Sequence, residues 1–378
     1  MRHELESVEI PGEHGARERT WRVLEAALAE RQPVQRSSRR MLRPAIVVAV
    51  VVAALAAVLS PPGRAVLDEL REAVGVDRAQ PALFSLPAPG KLLVASDAGV
   101  WVVQEDGSKR LLGPYREASW SPFGRFVVAA SENELAALEP DGDVRWTLAR
   151  RGVRSPRWAG TETDTRIAYV DRTGLRVVAG DGTSDRLLIP GFRGLVSWRP
   201  GSSFVLAAAD ARRVRVLEMT TGRVRWQRSA PGSASELMWS ENGLRLLVAS
   251  RAGMHVYDQN GSRPLDVGPG AAPFLGAALA PSGTRLVFAQ RAAGRTQLWV
   301  VPRIRPEANA ARRLFTGRGV LTPEAWSPDG SWVTVGWPGA DQWIFLRANG
   351  SGIRAVANVS DQFRSRSFPR VDGWCCTD

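Results

Sequence analysis

Cysteine, histidine and lysine are nearly missing from this 378-residue chain. The two cysteines, Cys375 and Cys376, are adjacent, so they cannot staple distant segments and lack metal-ligand spacing. Histidine occurs only at His3, His14 and His255, which nearly excludes imidazole chemistry. Lysine occurs only at Lys91 and Lys109, so the net charge of +12 rests on arginine. That charge bears on association and solubility, not on fold. The chain has no Walker A loop, no His-Glu-x-x-His, no Cys-x-x-Cys pair and no Gly-x-Ser-x-Gly elbow. His255 lies in a strand-like stretch and reads as a packed or surface residue, and Ser351 follows Asn349-Gly350 in a hairpin turn. The Asp-Gly pairs fall at separate hairpins and do not build a calcium loop. No catalytic residue, no cofactor and no metal site is expected.

What the chain does have begins with a polar segment, residues 1–43. Within it Trp21, Leu24 and Leu28 share one face at helical spacing. Five arginines between Arg31 and Arg43 then precede an uncharged run, residues 44–60. As a helix that run is about 24 Å long, short but sufficient with snorkelling flanks against a hydrocarbon core of about 30 Å. A cleaved signal peptide would not carry seven glutamates before its apolar stretch. The expected topology is a single-pass signal-anchor in a bacterial plasma membrane, with a cytoplasmic tail and everything beyond residue 60 extracytoplasmic by the positive-inside rule. Residues 61–85 form a stalk: Ser60-Pro61-Pro62-Gly63 stops the span, and Val66, Leu67, Leu70 and Val74 lie on one side of a short helix capped by Gly75.

From residue 86 to 378 the pattern changes to short alternating runs such as Lys91–Ser96, Arg125–Ala130 and Arg245–Ser250. Asp106-Gly107, Asp141-Gly142, Asp181-Gly182, Asn260-Gly261 and Asn349-Gly350 supply the residues that tight hairpins require. One phrase recurs through the region. It is complete as Trp326-Ser327-Pro328-Asp329-Gly330 and altered as Trp120-Ser121-Pro122-Phe123-Gly124, Trp239-Ser240-Glu241-Asn242-Gly243 and Leu279-Ala280-Pro281-Ser282-Gly283. The anchor positions Trp120, Trp158, Trp198, Trp239, Leu279, Trp326 and Trp374 are 38, 40, 41, 40, 47 and 48 residues apart, close to the length of a four-stranded propeller blade. These seven are expected to be core residues wedged between blades. Leu86–Leu112 supplies three strands without a first one, and Arg370–Cys376 supplies a first strand alone. The two ends together make one blade. The expected fold is therefore an all-β, seven-bladed β-propeller of four-stranded antiparallel blades closed by the C-terminal strand, with six blades as the alternative.

The Trp-Ser-Pro-x-Gly phrases resemble the WD40-like blade motif of bacterial propellers of the TolB type. Gly142-Asp143-Val144-Arg145-Trp146 and Thr221-Gly222-Arg223-Val224-Arg225-Trp226 are similar instead to the Gly-x-Val-x-Trp signature of quinoprotein repeats. The resemblance covers roughly residues 86–378 and implies a fold more than a function; Leu279 for Trp and Ala159-Gly160 for Ser-Pro depart from the motif, and the TolB amino-terminal domain is missing.

Connections between successive units should emerge on one face. They carry Arg116, Arg150, Arg151, Arg154, Arg157, Arg193, Arg228, Arg318, Arg364, Arg366 and Arg370 against four acids, Glu117, Glu236, Glu324 and Asp361. A basic face would bind an acidic protein surface or an anionic envelope polymer in a salt-sensitive way. Nucleic acid is not expected on an extracytoplasmic face. The favoured reading is a membrane-anchored, non-enzymatic scaffold or sensor of the cell envelope. One alternative is a quinoprotein-like or hydrolytic propeller enzyme, which would need convergent polar residues in the central channel. Another is a transmembrane regulator whose Trp21 helix holds a cytoplasmic partner such as a sigma factor.

Overall fold

A computed structural model describes residues 85–376 except 202, 264, 268–272 and 306–309. The expected tail, span (44–60) and stalk lie outside the described residues. Among those described, no helix is long and apolar enough to cross a membrane.

The described chain forms seven four-stranded antiparallel sheets, which excludes the six-bladed alternative. Blade 1 combines Lys91–Ser96, Gly99–Val103 and Lys109–Gly113 with Arg370–Cys375 as its inner strand. Blades 2 to 7 follow in order, spanning 117–149, 154–190, 195–229, 236–267, 274–318 and 322–357. Closure is by direct pairing of Leu92 with Trp374 and Val94 with Val371. Each inner strand touches that of the next blade, and Arg370–Cys375 touches both Thr322–Trp326 and Glu117–Trp120. The ring has no free sheet edge at its seam.

Hydrophobic packing follows the same plan. Seven apolar clusters each join two neighbouring blades, as where Leu93, Val100 and Leu112 of blade 1 meet Ala118, Trp120 and Val127 of blade 2. The core is thus a set of seams. All seven anchor residues are buried in or beside these seams, each at 9% exposure or less. Trp198 and Trp326 also donate their indole N–H to Arg157 O (3.0 Å) and Ala278 O (2.9 Å) of the preceding blade. Burying an aromatic removes about 150–250 Å² from water. At about 25 cal/mol per Å², one such wedge contributes about 4–6 kcal/mol.

The Ser-Pro-x-Gly turn has a local cause. Gly330 takes the left-handed φ (66°) that lets its N–H reach Ser327 O (2.8 Å), while the Ser327 hydroxyl accepts the Trp332 N–H (2.9 Å). Ser121 and Ser240 do the same for Phe126 and Arg245. The outer hairpins use a different device: Asp106, Asp141, Asp181 and Asn349 each accept the backbone N–H two residues on. Ser351 belongs to such a turn and bonds Asn349 Oδ1 (2.7 Å).

The Gly-x-Val-x-Trp tryptophans form an outer latch. Trp146 and Trp226 donate to Gly180 O (2.9 Å) and Gln259 O (3.0 Å) in the hairpin of the following blade. Their rings lie so close to Gly182 and Gly261 that a Cβ there would meet them at 2.9 Å. Only glycine fits beneath them.

Candidate functional site

Seven inner strands enclose an axial channel, which holds a cavity of about 430 Å³ lined by all of them. Each strand starts at the face where blades connect and ends at the face of the Trp-Ser-Pro turns. The two mouths therefore differ in composition.

At the connection face the channel gathers Glu236, Glu324, Arg157, Arg370 and Asp372, with Glu117 beside them. Three of these groups accept backbone N–H groups of a neighbouring blade. Glu117 Oε2 accepts the Ser155 N–H (2.6 Å), Glu324 Oε2 the Val371 N–H (3.0 Å) and Asp372 Oδ2 the Ala118 N–H (3.0 Å), each from the next blade. The Ser197 hydroxyl likewise accepts the Trp239 N–H (3.0 Å). These are inter-blade clasps. Irregularities in strand register help place two of them, between Pro323 and Ala325 and opposite Asp372. Gly336 clears the space for Glu324, whose second oxygen would collide with a Cβ there.

The guanidiniums are also engaged. Arg370 Nε donates to Asp372 Oδ1 (2.7 Å), and Arg157 Nη1 donates to Pro156 O (2.8 Å). The Glu236 carboxyl has neither a hydrogen bond nor an ion pair within the described residues. One side of it faces the cavity, yet it lies deep enough that burial pushes its carboxyl up to about 7, with Arg157 and Arg370 opposing. Burial drives Glu324 further, to about 8, against the Val371 N–H and Arg370. At neutral pH both carboxyls can hold a proton. The hydroxyls of Ser119, Ser197 and Ser235 line the cavity too, and among the described residues none is hydrogen-bonded to a carboxylate or imidazole.

The opposite mouth is mainly apolar, with Glu162 and Glu241 also on its wall. A cavity of about 960 Å³ is bounded there by Trp120, Pro122, Phe123, Pro200, Pro328 and the Cys375–Cys376 pair. The two cysteines form a disulfide at the position where blades 2 and 7 carry Ser-Pro. Phe123 is 62% exposed and holds a left-handed φ of 66°.

The structure does not gather the eleven arginines on one surface. Arg157 and Arg370 belong to the channel, while Arg228 and Arg318 lie on outer strands, the former bonding Gly261 O (3.1 Å). Arg116 pairs with Glu132 (2.9 Å), and Arg150 joins Asp185 in a network with Arg176 and Tyr169. Arg364 covers the Trp101 ring (5.7 Å). The loop of Arg366 is clasped by Asp97, which accepts the Arg366 and Ser367 N–H groups. Arg154 and Arg193 do come together, through an Nη2 bond to Arg193 O (2.9 Å). Arg193 in turn bonds Arg172 O (2.7 Å), and Arg172 packs on Gly152 next to the exposed Arg151. Arg172 lies in a turn within a blade, a class of connection the sequence count left out. Of the acids counted there, Glu117, Glu236 and Glu324 are channel residues.

His255 is on the third strand of blade 5, not on the channel. Its Nδ1 meets Tyr257 Oη (2.9 Å) and its Nε2 lies 3.2 Å from Asp266, while burial lowers its pKa.

Fold and channel define the class: a seven-bladed, WD40-like β-propeller. Neither a family model nor a curated protein matches the sequence. Among solved structures the chain is similar to the propeller domain of Cps50 (Swd1) from Myceliophteria thermophila, at 13% identity, TM-score 0.51, covering 66% of this chain and 94% of that one. It is also similar to a chain of the mitotic checkpoint complex, at 13% identity and TM-score 0.51, covering 72% and 94%. A chain of hydrazine synthase from Kuenenia stuttgartiensis matches at 11% identity and TM-score 0.49, covering 72% and 81%. At such identities the likenesses show the fold alone.

Proposed function

We propose that this protein is a non-enzymatic, protein-binding scaffold of the bacterial cell envelope. In this reading it is TolB-like in setting, held in the plasma membrane by residues 44–60, with the tail in the cytoplasm and the propeller outside. The observation that carries the binding role is the arginine cluster Arg151, Arg154, Arg172 and Arg193 on the connection face of blade 3. Asp171 within that loop is buried and turned to Thr173, Gly174 and Arg176, so it does not offset the cluster at the surface. Four cations on a rigid loop set suit an acidic protein surface or an anionic envelope polymer, and steer its approach. The positive-inside arginines before the apolar run support the placement. That one structural neighbour comes from a multiprotein complex agrees with a scaffold.

The test is crosslinking in cells followed by capture of what is attached. Arg151→Glu combined with Arg154→Glu should lower retention of the captured partner by roughly tenfold at low salt, with little change in melting temperature. Retention that is unchanged and insensitive to salt would sink the proposal.

A further inference from the structure

The connection-side channel has an imbalance that the scaffold role does not use. Four carboxyl groups, Glu117, Glu236, Glu324 and Asp372, face two guanidiniums, Arg157 and Arg370. Three of the carboxyls are clasped to backbone N–H groups, and Asp372 also holds Arg370. Glu236 alone is uncommitted, enclosed in the ring and directed at the cavity. The charged groups around it come from three other blades: Arg157 from blade 3, Arg370 and Asp372 from blade 1, and Glu324 from blade 7. Glu117 of blade 2 adds to the field on Arg370. Blades 4 and 6 place no ionisable side chain on their inner strands, Leu195–Trp198 and Phe274–Leu279. On its own blade, Glu241 sits at the other end of the strand.

We propose that this cavity binds an organic cation, an alkylammonium or guanidinium group, with Glu236 as its counter-ion. An anion would find Arg370 already held by Asp372 and Arg157 by Pro156 O, and would gain no partner in Glu236. A metal ion is disfavoured by the donor set, because no three acids, histidines or cysteines among the described residues converge on one point. Leu195 and Met238 flank Glu236 along the wall, giving a methylene stem an apolar surface. The cavity volume lies in the ordinary range for small-ligand sites. Because the buried carboxyl holds its proton near neutrality, cation binding should expel that proton: the ligand's charge replaces it, and charge in the cavity is conserved.

The inference does not depend on the arginine face, and its test leaves that face intact. Calorimetry on the full-length protein would use agmatine and cadaverine as free amines, and the Nα-acetyl methylamides of lysine and arginine as side-chain mimics. At least one probe should bind saturably, about tenfold more tightly at pH about 8.5 than at about 6, as expected for linkage to one proton near neutrality. Buffers of different ionisation enthalpy should report release of part of a proton per cation bound at pH about 7. Glu236→Gln should abolish both the binding and the proton release. Should that variant misfold, Arg157→Gln serves instead and should tighten the cation several-fold by removing a like charge. Preference for the free amines would point to a metabolite, and preference for the blocked amino acids to a partner side chain; either supports the site. No binding by any of the four probes, or binding unaffected by both substitutions, would overturn it.

Discussion

The two mouths of the channel are built from the same seven strands and differ in nearly everything else. At the Trp-Ser-Pro end, tryptophans, prolines and a disulfide present mainly apolar surface, the serine turns settle their own backbone, and Arg199 and Arg285 reach Gly243 O and Gly330 O of the following blade. At the connection end, Glu117, Glu324 and Asp372 of one blade settle the backbone of the next, and burial raises the pKa of Glu324 and of the unclasped Glu236. Exclusion of water dominates at one end, and carboxyl clasps between blades, one of them on a group with a raised pKa, add to it at the other.

Three perturbations would sharpen that contrast. The largest effect belongs to the apolar end, where Trp326→Ala should destabilise by about 3–5 kcal/mol through the cavity it leaves and the lost bond to Ala278 O. Trp326→Leu should cost less, since Leu279 already fills the corresponding place in blade 6. Denaturant titration would read both, and equal losses would contradict the wedge.

At the charged end the effect is a pH slope. An unfolded glutamate releases its proton near 4.5, whereas folded Glu324 holds it to about 8. Stability from this group is complete below 4.5 and declines as pH rises to 8, by roughly 2–4 kcal/mol. Glu324→Gln should flatten the melting-temperature profile across that window, and an unaltered slope would refute the assignment. The smallest effect is expected from reducing Cys375–Cys376. Joining neighbours closes almost no loop in the unfolded chain, so stability should change by less than about 1 kcal/mol. A larger shift would mean that the disulfide shapes the apolar mouth itself.

The blade count and closure were legible because they rest on a phrase repeated at fixed intervals. The unmatched first strand at Trp374 was enough to place the seam. The channel was not legible for a local reason. Alternation assigns side chains to faces only while register holds, and irregularities at Pro323–Ala325 and opposite Asp372 shift it where the acids sit. Glu236 carries no such mark, and only assembly of the ring shows that its neighbours leave it unpartnered. Counting charge along connections set Arg157 and Arg370 with the loops although both lie on inner strands, and passed over Arg172 in a turn within blade 3. Trp146 and Trp226 were visible as a signature, but their partners Gly182 and Gly261 were not, because the contact crosses to the next blade.

The pairing of Leu92 with Trp374 makes the fold a test of its own length. Until the segment Arg370–Cys375 leaves the ribosome, Lys91–Ser96 presents an unpaired edge, and every shorter product keeps it. A chain that stops early is thus marked for aggregation or proteolysis by its first blade, almost three hundred residues upstream of the fault.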